Sequence, residues 1–100
     1  MRTSENLKLL IVDPSDTERF MMRSVLVEHN FQVLLAKNAE EGLMMTRKLH
    51  PDLIITDCGP RIDGAEFCRQ VRQEMEISEI AIVLMSSYPN SSQTSLMRLF

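Results

Sequence analysis

The sequence is poor in the residues that mark an exported or membrane-bound protein. The two cysteines, Cys58 and Cys68, lack the spacing of a metal site, and no disulfide is expected between them because no export signal is present. No apolar run approaches the roughly 20 residues of a membrane span, and the first residues lack the long apolar stretch of a signal peptide. We therefore expect a cytoplasmic protein without membrane contacts.

Tryptophan is absent and basic residues are sparse, which limits both the core and the surface. Eight methionines and a single tyrosine predict a core of aliphatic and thioether side chains. The net charge is −3, and the nearest thing to a basic cluster, which contains Arg69 and Arg72, is diluted by acidic neighbours. Since phosphate backbones are bound by clustered Lys and Arg, direct nucleic-acid binding is not expected. No glycine-rich phosphate-binding motif is present either.

Four short apolar runs are typical of strands buried on both faces of a parallel sheet. They cover residues 8–13, 31–36, 52–57 and 80–85. Helices are predicted between them, and two begin with capping-box spacings: Ser15 with Glu18, and Asn38 with Glu41. A fourth helix is predicted over residues 90–100. The order βαβαβαβα indicates an α/β domain with helices on both faces of the sheet.

Helical spacing predicts which side chains of the three complete helices face the core. The first helix is expected to present Met21, Met22, Val25, Leu26 and His29. The second is expected to present a small-residue face with Ala39, Gly42, Leu43, Thr46 and Leu49, and the third Phe67, Cys68, Val71 and Met75.

Polar residues stand where three of the predicted strands end. These are Asp13, Asp57 and the Ser86–Ser87 pair. In open α/β sheets, ligands bind beyond the carboxyl ends of the strands. Two carboxylates and a hydroxyl suit a hard divalent cation, Mg²⁺ rather than Zn²⁺, and the chemistry that fits is phosphoryl transfer to a carboxylate. Asp13 could alternatively cap the first helix, and Asp57 could cap the following loop.

Four stretches in order, LLIVD, PDLIITD, CGPRIDG and IVLMSS, resemble the receiver domain of bacterial response regulators. The resemblance covers essentially the whole chain and implies a doubly wound, flavodoxin-like parallel sheet with strand order 2-1-3-4. It implies that Asp57 is the phosphoacceptor, that Ser87 contacts the phosphoryl group, and that Mg²⁺ is held by Asp13, Asp57 and the backbone carbonyl of Gly59.

Two of the departures from the family pattern bear on the metal site and on the sheet. Pro14 stands where the family usually has a second acidic residue, so Mg²⁺ binding is expected to be weak unless Asp16 reaches back. The fifth parallel strand of the family is not found, so residues 1–100 are interpreted as one receiver domain truncated within its fourth helix. The strand over residues 80–85 would then be an exposed edge, and a homodimer or larger species is expected.

The leading functional hypothesis is a phosphorelay module that is not an enzyme. A histidine kinase or phosphotransfer protein would phosphorylate Asp57, and an output domain or downstream protein would read the change. The alternative is a pseudo-receiver, an interaction module without stable phosphorylation, which Pro14 favours. A small flavodoxin-like enzyme or cofactor binder is a third, weaker hypothesis, because fold does not fix function.

Overall fold

The computed structural model describes residues 7–57, 63–74, 80–86 and 96–99. Strands and helices alternate along the chain until the last element, which is a strand. The elements are β1 (Lys8–Val12), α1 (Asp16–Glu28), β2 (Gln32–Ala36), α2 (Ala39–Leu49), β3 (Leu53–Asp57), α3 (Gly64–Glu74), β4 (Ala81–Ser86) and β5 (Leu96–Leu99).

All five strands form one sheet in the order β2-β1-β3-β4-β5. The first four strands are parallel, with Leu10 aligned with Leu34 on one side and with Ile54 on the other. The predicted order 2-1-3-4 is therefore confirmed. Their carboxyl ends all lie at the same edge of the sheet, which is the edge where ligands bind in folds of this type.

The predicted fourth helix is wrong where the structure describes it. Leu96–Leu99 is a strand that runs antiparallel to β4, with Leu99 aligned with Val83 and Leu96 with Ser86. A short apolar run fits a helix stripe and a strand equally well, and here the pairing satisfies the open side of β4. The prediction that β4 is an exposed edge is consequently wrong, and with it the reason given for a homodimer.

The main core lies between the sheet and the helices α2 and α3. Phe67, Cys68 and Val71 of α3 are buried against alternate residues of the strands, and α2 buries Gly42 and Thr46 there. Ala39 and Leu43 pack on the same cluster. These side chains were predicted to face the core, whereas Leu49 is exposed and Met75 lies outside the described residues.

Helix α1 lies on the opposite face of the sheet and covers it incompletely. No residue of α1, which lies wholly within the described range, is buried. Met21 is 62% exposed and Val25 is 56% exposed, so the predicted inward stripe is wrong for these two residues and for the exposed His29, and holds partly for the half-buried Met22 and Leu26. An apolar groove of about 350 Å³ separates this helix from Ile55 of β3.

Ser15 and Asn38 are confirmed as the residues that cap the N-termini of α1 and α2. The Oγ atom of Ser15 accepts a hydrogen bond from the backbone N–H of Glu18, and the Asn38 side chain accepts one from Glu41. Asn30 adopts the left-handed conformation after α1, with φ of 68°. Within the described part of the chain, no helix has the length and apolarity to cross a membrane.

Candidate functional site

Asp13 is the first residue after β1, and its side chain is buried. Its backbone N–H donates to the carbonyl of Ala36, 3.0 Å away, which extends the pairing of β1 with β2 by one bond. Its carboxylate then turns back on the chain, because Oδ1 accepts a hydrogen bond of 2.8 Å from the backbone N–H of Ser15. Asp13 is thus fixed at the carboxyl edge of the sheet by bonds on both sides of its Cα.

The contact of Asp13 with Ser15 is a turn across Pro14 and not a helix cap. The residue that caps α1 is Ser15, so the alternative interpretation of Asp13 as the cap is wrong. The Asp13 side chain instead orders the short connection that precedes the cap. One of its two carboxylate oxygens has therefore a structural role before any ligand is considered.

Arg19 and Asp16 form the next layer around this turn. The Nη1 atom of Arg19 donates to the backbone carbonyl of Asp13 over 2.5 Å, and its Nη2 atom forms an ion pair with the carboxylate of Asp16. The side chain of Asp16 is 93% exposed. Asp16 therefore pairs with Arg19 on the surface, and the suggestion that it reaches back to replace the missing acid is not supported. Sequence reasoning did not identify Arg19, whose role depends on the helical spacing i, i+3.

Asp57 is the last residue of β3 and lies beside Asp13. The strand pairing aligns Val12 with Thr56, so both carboxylates come one residue later, at the ends of neighbouring strands. Neighbouring strands are about 4.8 Å apart. On its other side, Asp57 is aligned with Met85 of β4. The two predicted carboxylate residues are therefore adjacent at the carboxyl edge of the sheet.

The beginning of α3 stands directly over the backbone of Asp57. Asp63 starts the helix, because its Oδ1 atom accepts a hydrogen bond of 3.0 Å from the N–H of Glu66 and its carbonyl accepts one from Phe67. Gly64 is buried, and a Cβ atom at this position would lie 2.6 Å from the carbonyl oxygen of Asp57. Sequence reasoning noted the Asp-Gly pair as part of the resemblance but missed this contact.

One ion pair lies on the first turns of α3. Two hydrogen bonds of 2.6 and 2.8 Å join the carboxylate of Glu66 to the guanidinium of Arg69. The hydrogen bond from Arg69 lowers the pKa of Glu66 below its usual value. Both side chains are substantially exposed, so this pair contributes to the surface of the helix and not to a buried site.

Two of the predicted site residues, Gly59 and Ser87, lie outside the described residues. Ser87 comes directly after Ser86, where β4 ends. Among the residues that the structure describes, no group of three or more His, Cys, Asp or Glu side chains could together hold a metal ion. A cation at this edge would therefore depend on the two carboxylates, with backbone or hydroxyl oxygens completing its coordination.

Comparison with known proteins agrees with this geometry. The family model of the response regulator receiver domain matches residues 9–97. Protein PilH of Pseudomonas aeruginosa is 32% identical over 81 residues, which cover 80% of this chain and 67% of PilH. The alkaline phosphatase synthesis transcriptional regulatory protein PhoP of Bacillus subtilis is 34% identical over 70 residues, which cover 69% of this chain but only 29% of PhoP.

The solved structures lead to the same family. The chemotaxis response regulator CheY4 of Vibrio cholerae superposes with a TM-score of 0.76 at 28% identity, over 84% of this chain and 71% of CheY4. A putative response regulator from Chloroflexus aurantiacus gives 0.75 at 34% identity, over 86% of this chain and 71% of the other. The family model matches most of this chain, and the parallel strands have the order β2-β1-β3-β4. The chain therefore belongs to the response regulator receiver domain family.

Proposed function

We propose that the protein accepts a phosphoryl group from a histidine kinase or phosphotransfer protein on Asp57 and passes the resulting change to an output domain or downstream protein. A carboxylate oxygen of Asp57 forms a bond to phosphorus while the bond from phosphorus to the donor's histidine nitrogen breaks. The product is an acyl phosphate. The protein is a substrate in this exchange and at most assists its own phosphorylation.

The observation that carries the proposal is the adjacency of Asp57 and Asp13 at the ends of β3 and β1. Two carboxylates on neighbouring strands repel each other unless a cation or a proton lies between them. Asp57 is only half-buried, so a donor can approach it, whereas Asp13 is buried and held in place. This division suits one carboxylate that reacts and one that organises the site.

The residues present fit a magnesium ion, although with fewer charged ligands than the family pattern has. When bound, Mg²⁺ neutralises the charge on the phosphoryl oxygens. Asp13 would hold it through Oδ2, since Oδ1 already accepts from Ser15, and Asp57 and the backbone carbonyl of Gly59 would complete the set. Pro14 offers no side-chain ligand, so we propose weak binding. The hydroxyl of Ser87 would donate to a phosphoryl oxygen.

Incubation with acetyl phosphate and Mg²⁺ followed by intact-mass measurement tests the proposal. Acetyl phosphate should add one phosphoryl group with release of acetate, and Asp57→Asn should abolish the adduct. Asp52→Asn is the matched control, because Asp52 lies at the opposite end of β3, where its carboxylate accepts from the backbone N–H of Lys8. An adduct that persists in Asp57→Asn would contradict the proposal.

A pseudo-receiver is the second candidate, and the same region favours it. Pro14 replaces an acid, one oxygen of Asp13 is bound to Ser15, and Asp16 is paired with Arg19. These three features reduce the charge available to a cation. The absence of any adduct at every Mg²⁺ concentration tested, in a protein that remains folded, would favour an interaction module without phosphorylation.

A further inference from the structure

Gly64 lies so close to the backbone of Asp57, the candidate phosphoacceptor, that a side chain at position 64 would not fit. A Cβ atom there would lie 2.6 Å from the carbonyl oxygen of Asp57, 3.4 Å from its carbonyl carbon, and 3.0 Å from Cδ2 of Leu84. Separations below 3.0 Å between a Cβ and another heavy atom require that one of the two moves. A side chain of any kind at this position would therefore displace either the start of α3 or the end of β3.

Space, and not backbone conformation, is the reason for glycine at this position. Neither of the two glycines in the described residues, Gly42 and Gly64, has a positive φ. The helix start is already fixed by Asp63, which accepts from the N–H of Glu66. Glycine is also among the poorest helix formers, so alanine would be preferred if the position were open. The contact with Asp57 is thus the feature that requires glycine.

The end of β3 is the part that would yield. Thr56 is aligned with Val12 of β1 and with Leu84 of β4, so it is held on both sides. The aligned pairs with β1 end there; the next residue, Asp57, is aligned with Met85 of β4, and its carbonyl accepts a hydrogen bond of 3.3 Å from Oγ1 of Thr56. A push against the carbonyl of Asp57 would therefore rotate its peptide and move its carboxylate, while the rest of the strand stays in register.

We propose that Gly64 is a positioning residue for Asp57: by lacking a side chain, it lets α3 begin against the Asp57 carbonyl and so fixes where the acceptor carboxylate points. This inference rests on the proposed function of Asp57. Attack on phosphorus needs alignment of the attacking oxygen, and a displacement of about 1 Å can reduce such a rate by about 100-fold.

The test compares Gly64→Ala with Gly42→Ala. Gly42 is a matched control, because a Cβ there would also be too close to a neighbour, at 2.9 Å from Cγ2 of Val12, but that neighbour is a side chain and not the backbone of Asp57. Both variants should lose thermal stability. At saturating acetyl phosphate and Mg²⁺, Gly64→Ala should be phosphorylated at least about 10-fold more slowly, whereas Gly42→Ala should stay within about twofold of the wild-type rate.

A second variant separates positioning from general packing. In Gly64→Ala/Leu84→Val the contact with the Leu84 side chain is relieved, but the contact with the Asp57 carbonyl remains. The phosphorylation rate should stay low in this variant even if its stability recovers. Recovery of the rate would overturn the proposal, since the defect would then come from packing against Leu84. If Gly64→Ala does not fold, the double variant replaces it in the comparison with Gly42→Ala.

A readout that does not need phosphorylation separates this proposal from the proposed function. The ¹³C resonances of the Asp57 carbonyl and carboxyl groups should shift in Gly64→Ala and not in Gly42→Ala. Such a shift supports positioning even if the wild-type protein forms no adduct, a result that would contradict only the phosphoacceptor role. Unchanged Asp57 resonances together with an unchanged rate would refute the positioning role of Gly64.

Discussion

The carboxylate of Asp13 accepts a hydrogen bond at Oδ1 from the backbone N–H of Ser15, 2.8 Å away across Pro14. The same residue that should help to organise a cation therefore also shapes the connection between β1 and α1. Because Pro14 has no side-chain oxygen, it cannot take over either of the two roles of the Asp13 carboxylate. This arrangement predicts that metal affinity and local stability can be changed independently.

Replacement of Pro14 should tighten Mg²⁺ binding. In Pro14→Asp a second carboxylate follows Asp13 at the carboxyl edge of the sheet, and affinity for hard cations rises with the charge of the ligands. We expect a gain of about tenfold, which corresponds to about 1.4 kcal/mol, measured by calorimetric titration with MgCl₂. Asp16→Asn is the control and should leave the affinity unchanged, because Asp16 is paired with Arg19. A Pro14→Asp variant that binds no more tightly would show that another group already supplies this ligand.

Two substitutions of Asp13 should separate its structural role from its role toward a cation. Asn can still accept the hydrogen bond from Ser15, so Asp13→Asn should keep nearly the wild-type free energy of unfolding while it weakens Mg²⁺ binding. Ala cannot accept it, and Asp13→Ala should lose about 1 kcal/mol as well. Urea denaturation and Mg²⁺ titration of both variants provide the measurement. Equal stability of the two variants would mean that the turn across Pro14 does not depend on Asp13.

The sequence was sufficient for the parts of the fold that have strong local signals. Apolar runs that end in Asp13 and Asp57 identified β1 and β3. Since parallel strands have their carboxyl ends at one edge of the sheet, Asp13 and Asp57 were expected at the same edge. Leu96–Leu99 could not be assigned in the same way, because four residues with mixed apolar spacing fit either a helix or a strand. The pairing with the open side of β4 decides between a strand and a helix, and that pairing is a tertiary contact.

The exposure of α1 could not be predicted either, because it too depends on tertiary contacts. Helical spacing identifies a stripe of apolar residues, but it does not say how much of the facing sheet surface the helix covers. The close approach of Gly64 to the Asp57 carbonyl could not be predicted from the sequence, because it depends on where the first residue of α3 lies relative to the end of β3. In each case the deciding contact joins residues that are distant in the sequence or depends on geometry that spacing does not encode.

The apolar groove beside α1 should bind a hydrophobic dye. Met21 and Val25 line it together with Ile55 and are more than half exposed. The double substitution Met21→Lys/Val25→Lys should reduce the fluorescence of bound anilinonaphthalene sulfonate by at least about half, because exposed apolar surface is what the dye binds. Met44→Lys on α2 is the control, since Met44 is exposed but does not line this groove. Equal loss of fluorescence in the control would show that the dye binds elsewhere.

The left-handed conformation of His50 should limit the stability of the domain. His50 ends α2 with φ of 48°, and its backbone N–H donates to the carbonyl of Thr46. This conformation costs a residue with a side chain about 1–2 kcal/mol, and glycine avoids that cost. Glycine also loses more conformational freedom on folding, which cancels part of the gain. We therefore expect His50→Gly to stabilise the protein by about 0.5 kcal/mol and raise Tm by about 2–4 °C. His50→Val should lower Tm, because a β-branched residue tolerates positive φ poorly.

His29 provides the matched control for this prediction. It also ends a helix and is exposed, but its φ is −98°, in the ordinary range for residues with side chains. His29→Gly therefore relieves no strain and increases the entropy of the unfolded chain, so its Tm should stay level or fall. Calorimetric melting of the four proteins at one pH and salt concentration makes the comparison. If both glycine variants shift Tm in the same direction and by the same amount, the effect of His50→Gly does not come from its positive φ.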